Sequence, residues 1–171
     1  MPVPPTIDRG VLRTYLADHL TGATAGLGRA TRMAEVYADS EIGPELRRLA
    51  DEIQEEHDHV ESLIDRLDLR QPRVLRLAAK AAEVVARLKP GGRGPYPSPM
   101  TPMLEVELLR GAVNAKVGMW EALAHYADEL GLDRADYERR TAAVDQQVAT
   151  LQALHTQLVP DALRPGQAGV L

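Results

Sequence analysis

Apolar residues recur along this chain at alternating spacings of three and four, the mark of helices that bury one stripe. The clearest stripe is Leu46, Leu49, Ile53, Glu56, Val60, Leu63 and Leu67, apolar at every position except Glu56. Upstream, Leu12, Leu16, His19, Ala23, Leu27, Ala30, Ala34 and Tyr37 predict a first helix running to about residue 38, with Thr6 as its N-cap and Asp8 near its positive end. Asp39-Ser40 and Gly43-Pro44 break the pattern. Proline suits a first helical position, so a second helix is expected over 44–68, with Pro72 as its stop. Val74, Leu75, Leu77, Ala78, Ala81, Val84, Val85 and Leu88 predict a shorter helix over 73–89, followed by a Pro/Gly-rich loop over 90–99. Thr101-Pro102 restarts the chain. Val106, Leu109, Val113, Lys116, Trp120, Leu123, Ala127 and Leu130 then predict a third long helix over 102–130 that ends at Gly131. Asp133 caps a fourth, to about Leu158, on Tyr137, Thr141, Val144, Val148, Leu151, His155 and Leu158, with Pro160 expected to end it. Residues 159–171 read as a flexible tail.

The breaks at 39–43 and 131–133 are short, so each pair of long helices forms an antiparallel hairpin. The connection between the second and third long helices is long, which lets the third start at the same end as the second. This predicts an all-α four-helix bundle with one crossover that carries its own short helix. Within the first helix, Gly22, Gly26 and Gly28 are out of place, since each interior glycine costs roughly 1 kcal/mol against alanine. Close approach of a neighbouring helix is the expected reason, ahead of a pocket or a kink.

Composition narrows the picture. The 171 residues suit a single domain, 1–171, with its core over about 7–158. The absence of cysteine rules out a disulfide or a thiolate metal site. With no Phe, one Trp and five Tyr, the core must be aliphatic, which favours helices over a sheet. No long apolar run or basic leader is present, so a cytoplasmic protein without a membrane span is expected. The net charge is -5, yet Arg70, Arg73, Arg76, Lys80, Arg87, Lys89 and Arg93 stand against one acid, Glu83, in the crossover. A solvated basic face is the plain expectation. Binding to an anionic surface is an alternative, and nucleic acid is not expected because no aromatic is interleaved.

The stretch Glu56-His57-Asp58-His59-Val60-Glu61-Ser62-Leu63 resembles the Glu-x-x-His-x-x-x-Leu segment of ferritins. With the helix order and the crossover, the chain resembles the ferritin-like superfamily over about residues 7–158, and more closely a set of uncharacterised bacterial ferritin-like proteins. That resemblance implies a carboxylate-bridged di-metal centre. Its template is one Glu from each of two helices and Glu-x-x-His from each of the others. The second helix complies through Glu56 and His59. The fourth offers Gln152-Ala153-Leu154-His155, with an amide where a bridging carboxylate belongs. The first has His19 on its stripe, with Asp18 one position off; the third has Lys116 on its stripe and Glu121 on the flank. Hard and borderline cations need the missing negative charge, and a lysine opposes them further.

The expected interior is therefore a buried Glu56–Lys116 ion pair, with His19 or His155 hydrogen-bonded to it, no cofactor and no catalytic residue. His57 and His125 are expected at the surface. The alternative is an iron or manganese di-metal oxidase on Glu56, His59, Glu121 and His155. No Gly-x-Ser-x-Gly is present, and the glycines at 91–94 lack phosphate-loop spacing. The expected function is a structural, binding or stress-associated bundle that self-associates, most simply as a homodimer.

Overall fold

Asp8, not Thr6, opens the first helix. Its carboxylate accepts from the Gly10 and Val11 amides at 2.8 and 3.0 Å, satisfying two of the free N–H groups that every helix start exposes. Thr6 instead donates to Glu129 at 2.6 Å, far along the chain. The structure, a computed structural model, describes residues 3–70 and 98–164. Within them lie α1 (Arg9–Val36), α2 (Gly43–Arg66), α3 (Met100–Ala115), α4 (Val117–His125), α5 (Ala127–Leu130) and α6 (Arg134–Ala162). No strand occurs among the described residues, so the chain is all-helical there. The expected 73–89 helix, the cations Arg73, Arg76, Lys80, Arg87, Lys89 and Arg93, and the tail beyond 164 lie outside them. The remaining basic position, Arg70, is exposed and pairs with Asp65.

The element ends follow local chemistry. Pro44 sits in the first turn of α2, where its missing N–H is not needed. α2 stops before Pro72 is reached. Asp68 turns left-handed at φ 53°, and the Leu69 amide returns to the Ile64 carbonyl at 2.9 Å, burying Leu69 beneath the turn. The expected third long helix is a rod broken at Lys116 and Tyr126, so it appears as α3, α4 and α5. It starts at Met100, not after a Thr101 cap. The Met100 amide reaches Ser98 Oγ at 3.3 Å and the Thr101 amide reaches the Ser98 carbonyl at 2.8 Å. Gly131 ends α5 at φ 63°, and Asp133 caps α6 through the Ala135 amide at 3.0 Å. Pro160 does not end α6, which continues to a buried Ala162. A proline costs one backbone bond there, and the anchored alanine holds the last turn.

Cross-helix bonds fix the directions. α1 begins beside the end of α2, where Arg9 pairs with Asp68 at 2.7 Å, and finishes beside the start of α3, where Tyr37 donates to Glu105 at 2.8 Å. α6 begins near His59, late in α2, and ends near Glu41, just before α2. α2 and the α3–α5 rod therefore run the same way. Leu16, Met33, Leu46, Leu49, Leu63, Leu109, Trp120, Leu123, Tyr137 and Leu151 fill one shared core. Among the described residues no helix is long and apolar enough to cross a membrane.

Candidate functional site

The polar centre is built from three elements. Glu56 comes from the middle of α2 and Lys116 from the break between α3 and α4. Gln147 comes from the middle of α6. At the break the Lys116 amide bonds to the Val113 carbonyl at 3.2 Å, a tightened turn. The Lys116 ammonium donates to Glu56 Oε2, and to Gln147 Oε1 at 2.7 Å. Gln147 Nε2 donates to Glu56 Oε1 at 3.0 Å. The three side chains thus close a ring in which each amide end faces the opposite charge. Reversing the amide would set its NH2 against the ammonium, so the network itself fixes the orientation. Glu56 and Gln147 are buried, and only 15% of the Lys116 side chain is exposed. Burial holds the Lys116 pKa below the ordinary lysine value, with the Glu56 carboxylate offsetting part of that shift.

His59 faces a different neighbourhood. Arg140 donates to its Nδ1 at 2.9 Å, so the ring proton sits on Nε2, which points at the Tyr137 hydroxyl at 3.3 Å. Trp120 and Tyr137 meet the same imidazole edge-on, and the Arg140 guanidinium stands 5.5 Å from the centre of the Trp120 ring. Burial, then the Arg140 charge, lower the His59 pKa. Asp136, bonded to Arg140 at 3.1 Å, holds that guanidinium in place.

The other sequence-derived residues scatter. His155 bonds Glu107 at 2.8 Å, and His19 packs edge-on against Tyr15 at 4.6 Å, so neither joins the ion pair. Glu121 is exposed. His57 is not a surface residue: its side chain is 14% exposed, and its Nε2 lies 3.1 Å from the Thr24 hydroxyl. His125 is exposed, as expected.

The donor set does not fit a di-metal centre. Both Glu56 oxygens are taken by the ring, and His59 Nδ1 is taken by a guanidinium. No three of Glu56, His59, Glu121 and His155 gather as ligands. Among the described residues, one trio of candidate ligand atoms lies within 4.8 Å, and it is His57, Asp58 and Glu61, two of them exposed.

Two features went unpredicted. Gln147 falls three after Val144 and four before Leu151, a stripe spacing that Val148 satisfies equally. Glu105 is 2% exposed and receives the Tyr37 hydroxyl and the Arg32 guanidinium, each at 2.8 Å. Burial and this carboxylate together push the Tyr37 pKa well above the ordinary tyrosine value. The glycines of α1 do not serve close helix approach. A Cβ at Gly22 or Gly28 would meet nothing within 4 Å, and Gly22 and Gly26 line a cavity of about 300 Å³ between α1, α2 and the α3–α4 rod. Comparison with known proteins finds no family model, no curated protein and no solved structure that matches this chain.

Proposed function

We propose that this protein is a cytoplasmic, dimeric, ferritin-like four-helix bundle that works as a structural or binding module and not as a metal oxidase. The observation that carries the reading is the Glu56–Lys116–Gln147 ring. The expected metal position holds an ammonium, and the carboxylate that should bridge metals is spent on it. A neutral glutamine faces it where a second acid would be required. The parallel course of α2 and the α3–α5 rod supports the ferritin-like topology, since it demands one long crossover.

The test is anaerobic loading of untagged protein with Fe(II) and Mn(II), followed by metal analysis. No stoichiometric uptake is expected. About two metals per chain, lost in Glu56→Ala, would overturn the reading, because that is the occupancy of the di-metal template. Sedimentation of the same sample reads the dimer, and a concentration-independent monomer would remove that part.

A further inference from the structure

One turn of α2 carries a second group of ligand atoms, apart from the Glu56 ring. His57 and Glu61 are four positions apart, and Asp58 and Glu61 three, so the three side chains share one flank of the helix. One ring nitrogen of His57 and one oxygen from each acid lie within 4.8 Å of one another. Acids along a helix flank are common and prove little alone. What sets this flank apart is how His57 is held.

The histidine tautomer follows from α1. Thr24 has one hydroxyl hydrogen and donates it to the Leu20 carbonyl at 2.9 Å. Its oxygen is therefore the acceptor for His57 Nε2, 3.1 Å away, and Nε2 carries the ring hydrogen. In the neutral ring the Nδ1 lone pair then faces Asp58 Oδ1 at 3.3 Å. Two electron-rich atoms held face to face call for a cation between them, either a proton or a metal ion.

The spacing and surroundings suit a metal. Zinc bonds nitrogen and carboxylate oxygen at about 2.0–2.1 Å, and two such bonds at the tetrahedral angle set their atoms about 3.3–3.4 Å apart. Both side chains are also held from outside the group: Thr24 fixes the imidazole, and Gln54 Nε2 donates to Asp58 Oδ1 at 2.7 Å. Metal-bound histidines characteristically give their second N–H to such an outer oxygen. His57 is mostly covered while Asp58 and Glu61 are exposed, so the group has one walled side and one open to water. One imidazole with two carboxylates suits zinc better than calcium or magnesium, which take oxygen ligands. The two carboxylate charges balance a divalent ion.

We propose that His57 Nδ1, Asp58 and Glu61 bind one zinc ion per chain, with water as the fourth ligand, and that Thr24 is a positioning residue for the imidazole. This site shares no residue with the Glu56–Lys116–Gln147 ring and goes beyond the structural or binding role proposed above.

Untagged, chelator-treated protein is titrated with zinc chloride in calorimetry and in long-range 1H–15N spectra of its five histidines. One saturable zinc per chain is expected, with His57 Nδ1 as the coordinated nitrogen and Nε2 protonated. His57→Gln should abolish binding, and so should Asp58→Asn combined with Glu61→Gln. Thr24→Val keeps the side-chain shape and removes the acceptor, so binding about tenfold weaker is expected, the usual cost of losing an outer partner. None of these four positions is buried, and the variants are expected to fold. No saturable zinc binding overturns the proposal and assigns the cation between Nδ1 and Asp58 to a proton. Binding that survives His57→Gln overturns it in favour of another site. Unchanged binding in the double acid variant overturns the ligand set, and unchanged binding in Thr24→Val overturns the positioning role. His57→Gln spares Glu56 and His59, so a di-metal centre would still load in that variant while this site would not, and the two readings fail separately.

Discussion

Lys116 reaches across the helical interior to Glu56, so that α2 and the α3–α4 break are tied at mid-height by a pair of opposite charges. Desolvating both is costly, and the pair adds little net stability over an apolar contact. Removing one partner is far worse, because the other stays buried and charged. Glu56→Ala and Lys116→Ala are each expected to lower unfolding free energy by roughly 3–5 kcal/mol in urea titrations. The triple change Glu56→Leu, Lys116→Met, Gln147→Leu should recover most of that loss. A single substitution costing under about 1 kcal/mol would mean that the pair is solvated, as surface pairs are.

Tyr37 and Glu105 make a second buried polar contact, near the start of α3. Tyr37→Phe keeps the ring and strips Glu105 Oε2 of its donor. The expected loss is roughly 1–3 kcal/mol, the cost of an unsatisfied buried acceptor. Thermal unfolding of Tyr37→Phe beside Tyr37→Phe/Glu105→Leu separates the orphaned carboxylate from the lost hydroxyl. If the double variant is no more stable than the single one, the carboxylate is not the cause.

The glycines divide by surroundings. Gly28→Ala meets open space and should stabilise by about 1 kcal/mol through helix propensity alone. Gly43→Ala should destabilise, since its Cβ would fall 2.5 Å from the Tyr37 carbonyl oxygen and 2.6 Å from that of Ala38. Opposite shifts in denaturation midpoint are the expected result; two shifts of the same sign would contradict these packings.

Acid should weaken the fold through His59. In the unfolded chain this histidine takes up its proton near its ordinary value of 6.5, while burial and Arg140 hold the folded value lower. Between those two values the unfolded state binds more protons, so stability falls as pH falls below 6.5 and is unaffected above it. His19, also lowered by burial, acts with the same sign. Denaturation at pH of about 7.5 and about 5.5 should show a drop that shrinks in His59→Gln. An identical drop in the variant would assign the effect to other groups.

The helices were legible because their stripes are long and regular, and the level positions of Glu56 and Lys116 on two stripes were enough to put them face to face. What failed was local and chemical. Gln147 was passed over because a neighbouring valine looked the better core residue, yet a charged pair prefers an amide that serves both signs. Glu105 looked like any surface acid, because its burial depends on a tyrosine 68 positions earlier in the chain. His19 and His155 lie on the stripes of the other two helices and find partners of their own, Tyr15 and Glu107. The meaning of Gly22 and Gly26 was hidden for the same reason: a glycine beside empty space and a glycine beside a tight contact look alike until the neighbouring helix is in place.

The parallel course of α2 and the α3–α5 rod also sets where force would act. In an up-and-down arrangement of four rods the first and last helices start and finish at one end, and pulling on those points peels them apart. Here α1 begins at one end and α6 finishes at the other, separated by about the 43 Å that the 29 residues of α6 span. Tension between those points would run along the helix axes and load every contact in the core at once, including the buried charge pair. The molecule is thus arranged to resist stretching by shear, as a strut between two attachment points would be.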